Sequence, residues 1–207
     1  MGWEVNGVQG WGEKPPPCTN TQKGKLIIMA GGACVWSDIE ALEEILPRDK
    51  AQHAAVNDIG QYWHFELTHW FTLHPGYMAG WRYFRYGHGY GQGRPVWTHS
   101  FRNVASNRYK DIDFYWDMQF GSGTSTMFGI FCAFAMGYNQ IILCGAPMDN
   151  SGHFFDPPKL KCPEFEGPAE KMSWQLEKNR LFKDRVRSMS GNTARWLGRP
   201  DKEWLGM

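Results

Sequence analysis

Ten consecutive residues, Met127 to Met136, carry no charge and no strongly polar side chain. A helix built from them is apolar on every side, so it cannot lie on a surface and must be enclosed by other elements. Gly137-Tyr138-Asn139 ends it, with glycine at the usual left-handed cap. Ile141-Ile142-Leu143-Cys144 follows as an unbroken apolar run, the pattern of a central parallel strand covered on both faces. The run stops at Gly145-Ala146-Pro147, and polar residues begin at once with Asp149. Ahead of the helix, Gly121-Ser122-Gly123-Thr124-Ser125-Thr126 supplies hydroxyls and unencumbered backbone N–H groups at the helix start. In open α/β sheets ligands collect beyond the carboxyl ends of the strands. Thr124, Ser125, Gly145, Ala146 and Asp149 are therefore the first candidate binding residues.

The rest of the chain repeats this pattern. Lys25 to Ala30 reads as a short apolar strand running into Gly31-Gly32-Ala33-Cys34, and Ser37-Asp38-Ile39-Glu40 then reads as a capping box opening a helix. A strand, a tight glycine turn and a helix form a generic phosphate-cradling unit, although there is neither a complete G-x-G-x-x-G nor a Walker lysine. Gln52 to Val56 is a second strand ending in Asn57-Asp58. Phe65 to Leu73 is a third, ending in His74-Pro75. Gly76 to Arg85 suits a short helix. Tyr86 to Pro95, with glycine at alternate positions, suits a mobile loop in which His88 is solvated. Val96 to Phe101 and Ile112 to Trp116 are further short strands. Beyond Asp149 comes a polar and aromatic loop through His153 and Asp156, and residues 157–168, rich in proline, look like a lid. Ala169 to Val186 reads as a charged helix, and Ser188 to Thr193 as a turn opening a short terminal helix. The pattern predicts an α/β fold, a mainly parallel Rossmann-like sheet with helices on both faces. It divides the chain into an irregular arm, residues 1–23, and one domain, residues 24–207. The arm suits packing on the domain or on a neighbouring subunit of a homo-oligomer.

Composition removes several classes of function. A net charge of +1 over 207 residues gives no electrostatic case for a nucleic-acid or membrane-surface protein. No apolar run approaches the roughly 18 residues that span a bilayer. The five cysteines form no C-x-x-C pair and no zinc spacing. Together these fit a reduced, cytoplasmic protein without a structural metal.

The motifs, taken in order, resemble the bacterial lipooligosaccharide sialyltransferases and the related 6-hydroxymethylpterin diphosphokinase-like domains over residues 25–156. The likeness is carried by Ala30-Gly31-Gly32-Ala33-Cys34, Asn57, His74-Pro75-Gly76-Tyr77 and the stretch from Thr124-Ser125 through Gly137-Tyr138 to Ile141–Gly145 and Asp149. It implies a nucleotide bound at the carboxyl edge of the sheet. Gly31, Gly32 and Ala33 would approach the phosphates, and Asn57 and His74 would hydrogen-bond phosphate or ribose. Thr124 and Ser125 would sit at the second helix N-terminus, and Gly145, Ala146 and Asp149 beside the base.

In the sialyltransferases the donor is a CMP-sugar and a later histidine acts as general base. Near Met172 to Trp174 this chain has no histidine, which leaves His153, His74 and Asp149 as candidate catalytic groups. The leading expectation is a nucleotide-sugar glycosyltransferase acting on a glycan acceptor, with no permanently bound cofactor. The alternatives are an ATP-dependent diphosphokinase-like transferase, for which Mg²⁺ would meet Asp58, Asp149 or Asp156, and a catalytically silent nucleotide-binding or assembly protein.

Overall fold

The structure is a computed structural model and describes residues 2–5, 8–12, 24–91, 96–101, 109–117, 124–156 and 167–207. Among the described residues the strands are β1 (Gly2–Val5), β2 (Val8–Gly12), β3 (Lys25–Met29), β4 (Gln52–Val56), β5 (His69–Thr72), β6 (Trp97–Phe101), β7 (Phe114–Asp117), β8 (Gln140–Cys144) and β9 (Val186–Ser188). The α-helices are α1 (Val35–Glu43), α2 (Met78–Gly87), α3 (Ser125–Met136), α4 (Pro168–Glu177), α5 (Gly191–Leu197) and α6 (Lys202–Leu205).

All nine strands join one sheet in the order β1-β2-β7-β6-β5-β4-β3-β8-β9. From β7 to β9 every neighbour is parallel. This is an α/β Rossmann-like sheet. Starting from β3 the chain adds strands outward through β7, then returns to the other side of β3 with β8 and β9. The reversal lies between β3 and β8, which pair with Ile27 opposite Ile142 and Met29 opposite Cys144.

Both faces of the sheet are apolar, and alternation sorts them. Leu26, Ile28, Val56, Phe71, Ile141 and Leu143 form one core with α3, with Trp174 of α4 and with Leu197 of α5. Ile27, Met29, Ala55, Trp70, Ile142 and Cys144 form the other with Val35, Ile39 and Leu42 of α1, Met78 of α2 and Leu205 of α6. α3 is buried along nearly its whole length, as its uniform apolarity requires.

Several expectations are corrected. The N-terminal segment is not an irregular arm throughout. β1 and β2 pair antiparallel with one another, Val5 opposite Val8, and β2 extends the sheet antiparallel along β7. Asn-Gly between short β-rich runs is a strong hairpin signal. The capping box is also absent. α1 begins at Val35, two residues earlier, Cys34 precedes it without a side-chain cap, and the Ser37 hydroxyl donates to the Cys34 carbonyl at 2.9 Å. β5 is shorter than Phe65–Leu73, because residues 65–68 approach it as irregular chain. The helix expected over Ala169–Val186 ends at Glu177, continues as a π-turn and a 3₁₀ turn, and leaves Val186–Ser188 as the edge strand β9. The alternating-glycine loop begins after Gly87; its residues 92–95 lie outside the described residues, as do residues 157–166 of the expected lid. No helix among the described residues is long and apolar enough to cross a membrane.

Candidate functional site

A cavity of about 460 Å³ opens at the carboxyl edge of the sheet over the reversal between β3 and β8, where open α/β sheets hold their ligands. It is lined by Gly31 and Gly32 after β3, Asn57 and Asp58 after β4, and His74 after β5. Thr124, Ser125 and Thr126 line it from the start of α3, Gly145 to Asp149 from beyond β8, and His153 and Glu170 from the outer wall.

The floor depends on a close approach of two turns. The Gly32 N–H donates to the Gly145 carbonyl at 2.8 Å, and a Cβ on Gly32 would stand 2.6 Å from that oxygen and 2.6 Å from Pro147 Cδ. Gly145 has φ +69°, and its own Cβ would stand 2.6 Å from Val35 Cβ. Buried Asp38 locks this arrangement from behind, accepting from the Gly145 N–H at 2.8 Å and from the Ser190 hydroxyl at 2.7 Å. Hydrogen bonds to a charged acceptor contribute roughly 1.5–3 kcal/mol each. The Cys34 thiol lies 2.9 Å from the Ser190 hydroxyl, and burial pushes it up to about 12, so it stays protonated. The α5 start holds the loop beyond: Asn192 N–H and Nδ2 donate to the carbonyls of Pro147 and Met148, both at 2.7 Å, and Thr193 Oγ1 to that of Ala146 at 2.6 Å.

At the end of β4 the backbone is strained. Asn57 has φ +56°, a left-handed conformation that asparagine tolerates better than most residues. Its side-chain oxygen accepts from Thr72 Oγ1 at 2.9 Å, and Thr72 Oγ1 in turn accepts from the His74 N–H at 2.8 Å. This directs the Asn57 amide donors away from Thr72. Met148, across the cleft, has φ +50°. Strain of this kind collects at functional sites.

α3 presents its N-terminus to the cavity. Thr124 Oγ1 accepts from the Met127 N–H at 3.2 Å, and Ser125 Oγ accepts from the Leu73 N–H at 3.2 Å. The Ser125 and Thr126 N–H groups have no acceptor within the helix, and they carry the positive end of its dipole.

His153 faces the β3 turn. It forms a bridge with Gly32, flanked by hydrogen bonds of 3.0 Å from Ala33 N–H to the Gly152 carbonyl and from Phe154 N–H to the Gly31 carbonyl. Asp156 Oδ2 accepts from the His153 backbone N–H at 2.8 Å and lies 3.2 Å from His153 Nδ1. A carboxylate beside Nδ1 favours the tautomer with its proton there, leaving Nε2 as the basic atom. Asp58 is close by: the point where a Gly31 Cβ would stand is 3.5 Å from Asp58 Oδ1 and 3.6 Å from His153 Cδ2. Burial raises the Asp58 carboxyl above its ordinary range, partly opposed by backbone hydrogen bonds and by the charge of His153. Burial likewise raises Glu170, whose Oε2 has no hydrogen-bond partner among the described residues.

Of the residues expected to bind nucleotide or to act in catalysis, all line this cleft except Ala33, which stands beside it; Asp58, expected at a metal, also lines it, and Asp156 does not. The expected roles of the first turn change, because the N–H groups of Gly32 and Ala33 are taken by Gly145 and Gly152. The Gly31 N–H alone of the three makes no hydrogen bond among the described residues. His74 is exposed, and its ring has no hydrogen-bond partner among the described residues, whereas the His153 ring is oriented by Asp156. Asp149 Oδ1 accepts from the Ser151 N–H at 2.9 Å, closing its own turn. Sequence reasoning did not single out Glu170 or Thr126. Glu170 sits in the first turn of a helix that reads as a plain charged helix, and nothing local marks which of its acids turns inward.

The lining contains Asp58, Asp149 and Glu170 but, among the described residues, no lysine or arginine. The donors available to an anion among the described residues are thus backbone N–H groups, the α3 dipole, the Asn57 amide, the hydroxyls at the α3 start and histidines. No three His, Cys, Asp or Glu side chains among the described residues converge closely enough to hold a metal ion.

No protein-family model matches the chain, and no curated protein matches it in sequence. In structure it is similar to the monofunctional alpha-2,3-sialyltransferase Cst-I from Campylobacter jejuni, with a TM-score of 0.53 and 12% identity, covering 94% of this chain and 86% of that one. At that identity the likeness is one of fold.

Proposed function

We propose that the chain is a glycosyltransferase that takes a nucleotide-sugar donor of the CMP-sugar type and transfers the sugar to a glycan hydroxyl. The observation that carries this reading is the pairing of His153 with Asp156 at the mouth of a cavity floored by Gly31 and the α3 N-terminus. It puts a basic atom and a set of backbone N–H donors on the lining of one cleft. The sialyltransferase-like fold supports the same reading.

In the reaction the bond between the anomeric carbon and the phosphate oxygen breaks, and its electron pair stays on the phosphate. The Gly31, Ser125 and Thr126 N–H groups stabilise that charge as it forms. The acceptor hydroxyl oxygen bonds to the anomeric carbon, and its proton passes to His153 Nε2. The Asp156 carboxylate then stabilises the imidazolium. A base so placed contributes roughly 10²–10⁴ in rate.

The test is a thermal-shift series with CMP, UMP, GMP and ATP, with and without Mg²⁺, followed by assay of CMP-sugar hydrolysis. A ligand at about 100 times its Kd adds about 2.7 kcal/mol of stability. A metal-independent response to CMP, with hydrolysis lost in His153→Ala, is the expected result. No response to any nucleotide, or a response only to ATP with Mg²⁺, overturns it.

A further inference from the structure

Glu170 stands in the first turn of α4, where that helix meets the start of α3. One turn further along, the Ser173 hydroxyl donates to Met127 Sδ at 3.7 Å, and Trp174 is buried in the core that α3 shares. Side chains three apart share a helix face. Glu170 therefore continues this contact past the end of α3 and lines the cavity together with Thr124, Ser125 and Thr126. The other two carboxylates of the lining are engaged. Asp149 Oδ1 closes its own turn at Ser151, and Asp58 is held by backbone hydrogen bonds and by the charge of His153. Glu170 Oε2 is shut away from water without a hydrogen-bond partner, and burial alone raises the carboxyl above its ordinary range. The titratable groups around it are Asp58, His74, Asp149 and His153 on the lining and Lys171 and Glu177 on α4. None of them makes an ion pair or hydrogen bond with it among the described residues. Ionised, such a group loses hydration that nothing replaces; protonated, it loses far less.

We propose that Glu170 is a second catalytic residue, an acid that protonates the phosphate oxygen as it leaves the anomeric carbon. The inference rests on the glycosyl-transfer reading above and adds a group to it. A phosphate held by the Gly31, Ser125 and Thr126 N–H groups brings negative charge against the wall that carries Glu170. A carboxylate there repels it, and the lining has no lysine or arginine among the described residues to offset the two charges. A carboxylic acid instead donates to it. The proton is carried on Oε1, which leaves the enclosed Oε2 as the carbonyl oxygen. When the carbon–oxygen bond breaks, its electron pair stays on the oxygen and the Glu170 proton moves onto that oxygen. The nucleotide leaves as a monoanion and Glu170 becomes a carboxylate. The acceptor proton passes to His153 in the same reaction, and exchange with water returns both groups to their starting forms. Repulsion between the new carboxylate and the phosphate then speeds product release.

Titration calorimetry with CMP at pH 8, run in Tris and in HEPES, whose ionisation enthalpies differ, reads the protons taken up on binding. The unaltered chain should take up more than Glu170→Gln, by up to about one proton per site, because the carboxyl must be protonated beside the phosphate. Glu170→Gln keeps the size of the side chain and a hydrogen-bond donor, so the CMP-induced thermal shift should persist and report an intact fold and donor site. Hydrolysis of the CMP-sugar should fall roughly 10²-fold in this variant and lose the alkaline limb of its pH profile. Glu170→Asp, which keeps an acid on a shorter stem, should recover part of the rate. Equal proton uptake in the two proteins, or normal turnover by Glu170→Gln with the CMP shift intact, overturns the proposal. Absence of a CMP shift in the unaltered chain sinks the donor reading itself, and this inference with it.

Discussion

His69 Nδ1 lies 3.0 Å from His99 Nε2, and both rings are buried in the sheet between β5 and β6. Trp116 Nε1 donates to His99 Nδ1 at 3.1 Å, which places the His99 proton on Nε2 and makes His69 Nδ1 its acceptor. His69 Nε2 therefore donates to the Tyr138 hydroxyl at 3.0 Å, and Tyr138 donates to Gln52 Oε1. Each member of this chain has its donor matched to one acceptor, and a proton added to either histidine breaks the sequence. Buried, fully satisfied networks of this kind fix one arrangement of the core.

Acid lability follows. Burial holds His69 at about 3 and His53 at about 4, with the Arg48 charge adding to the latter, and it holds His99 well below the ordinary histidine value. The unfolded chain takes protons on these residues near pH 6.5, and the folded one does not until far lower. The stability they confer is complete above pH 6.5 and drains as pH falls toward 4, at about 1.4 kcal/mol per pH unit for each histidine. Urea unfolding at intervals from pH 8 to 5 should show a midpoint that is flat at the alkaline end and falls steeply below about pH 6.5. A midpoint that holds level to pH 5 would show that the network accepts protons in place.

Two glycines should respond to the same substitution with opposite signs. Gly32→Ala forces a Cβ to 2.6 Å from the Gly145 carbonyl oxygen, so β3 and β8 must part at the cleft floor. Overpacking of this kind costs about 1–3 kcal/mol. Gly80 lies within α2, and a Cβ there meets nothing within 4 Å. Gly80→Ala should stabilise by about 0.5–1 kcal/mol through lower unfolded-state entropy and better helix propensity. Thermal unfolding of the two variants, side by side, decides the matter.

The contrast between these glycines shows what the sequence carried. Gly32 and Gly145 were visible as turns because each interrupts a continuous apolar run, and the runs themselves announced β3, β8 and α3. β9 was not visible, since Val186-Arg187-Ser188 is three residues long and follows a helix without punctuation. β1 and β2 lie in a segment whose glycines and prolines suggested irregular chain, although Asn6-Gly7 signals a hairpin. The cleft edge could be read strand by strand, but not the groups that hold it. Asp38 meets Gly145 across 107 residues of sequence, and Tyr138 meets Gln52 across 86. Those pairings follow from strand order, which alternation of apolar residues does not encode.

Asn57 separates backbone strain from binding. At φ +56° an alanine would be strained, whereas a glycine would not. Asn57→Ala should lower stability by about 1 kcal/mol, and Asn57→Gly by less, since its flexible backbone suits the turn. Both remove the amide that Thr72 orients, so both should weaken the nucleotide response to the same degree. Unequal nucleotide responses that track stability would assign Asn57 to the turn alone.

Asp156→Asn tests how His153 is used. The variant keeps the size of the side chain and an oxygen able to accept from the His153 backbone N–H, but it removes the charge beside Nδ1. The loop carrying His153 should stay in place, because the hydrogen bonds of Ala33 to Gly152 and of Phe154 to Gly31 do not involve Asp156. What changes is the ring. Without the carboxylate, Nδ1 no longer has a strong acceptor, the proton is free to sit on Nε2, and the imidazolium formed during transfer loses its counter-charge. Turnover of a CMP-sugar should fall roughly 10²-fold or more while the CMP thermal shift is unchanged. His153→Ala should abolish the same turnover, and the double variant should be no worse than His153→Ala by itself, since without the imidazole the Asp156 charge has no ring proton to hold. If Asp156→Asn turned over normally while His153→Ala was inactive, the base would work without an orienting partner. If both variants turned over normally, His74 or Asp149 would have to carry the proton.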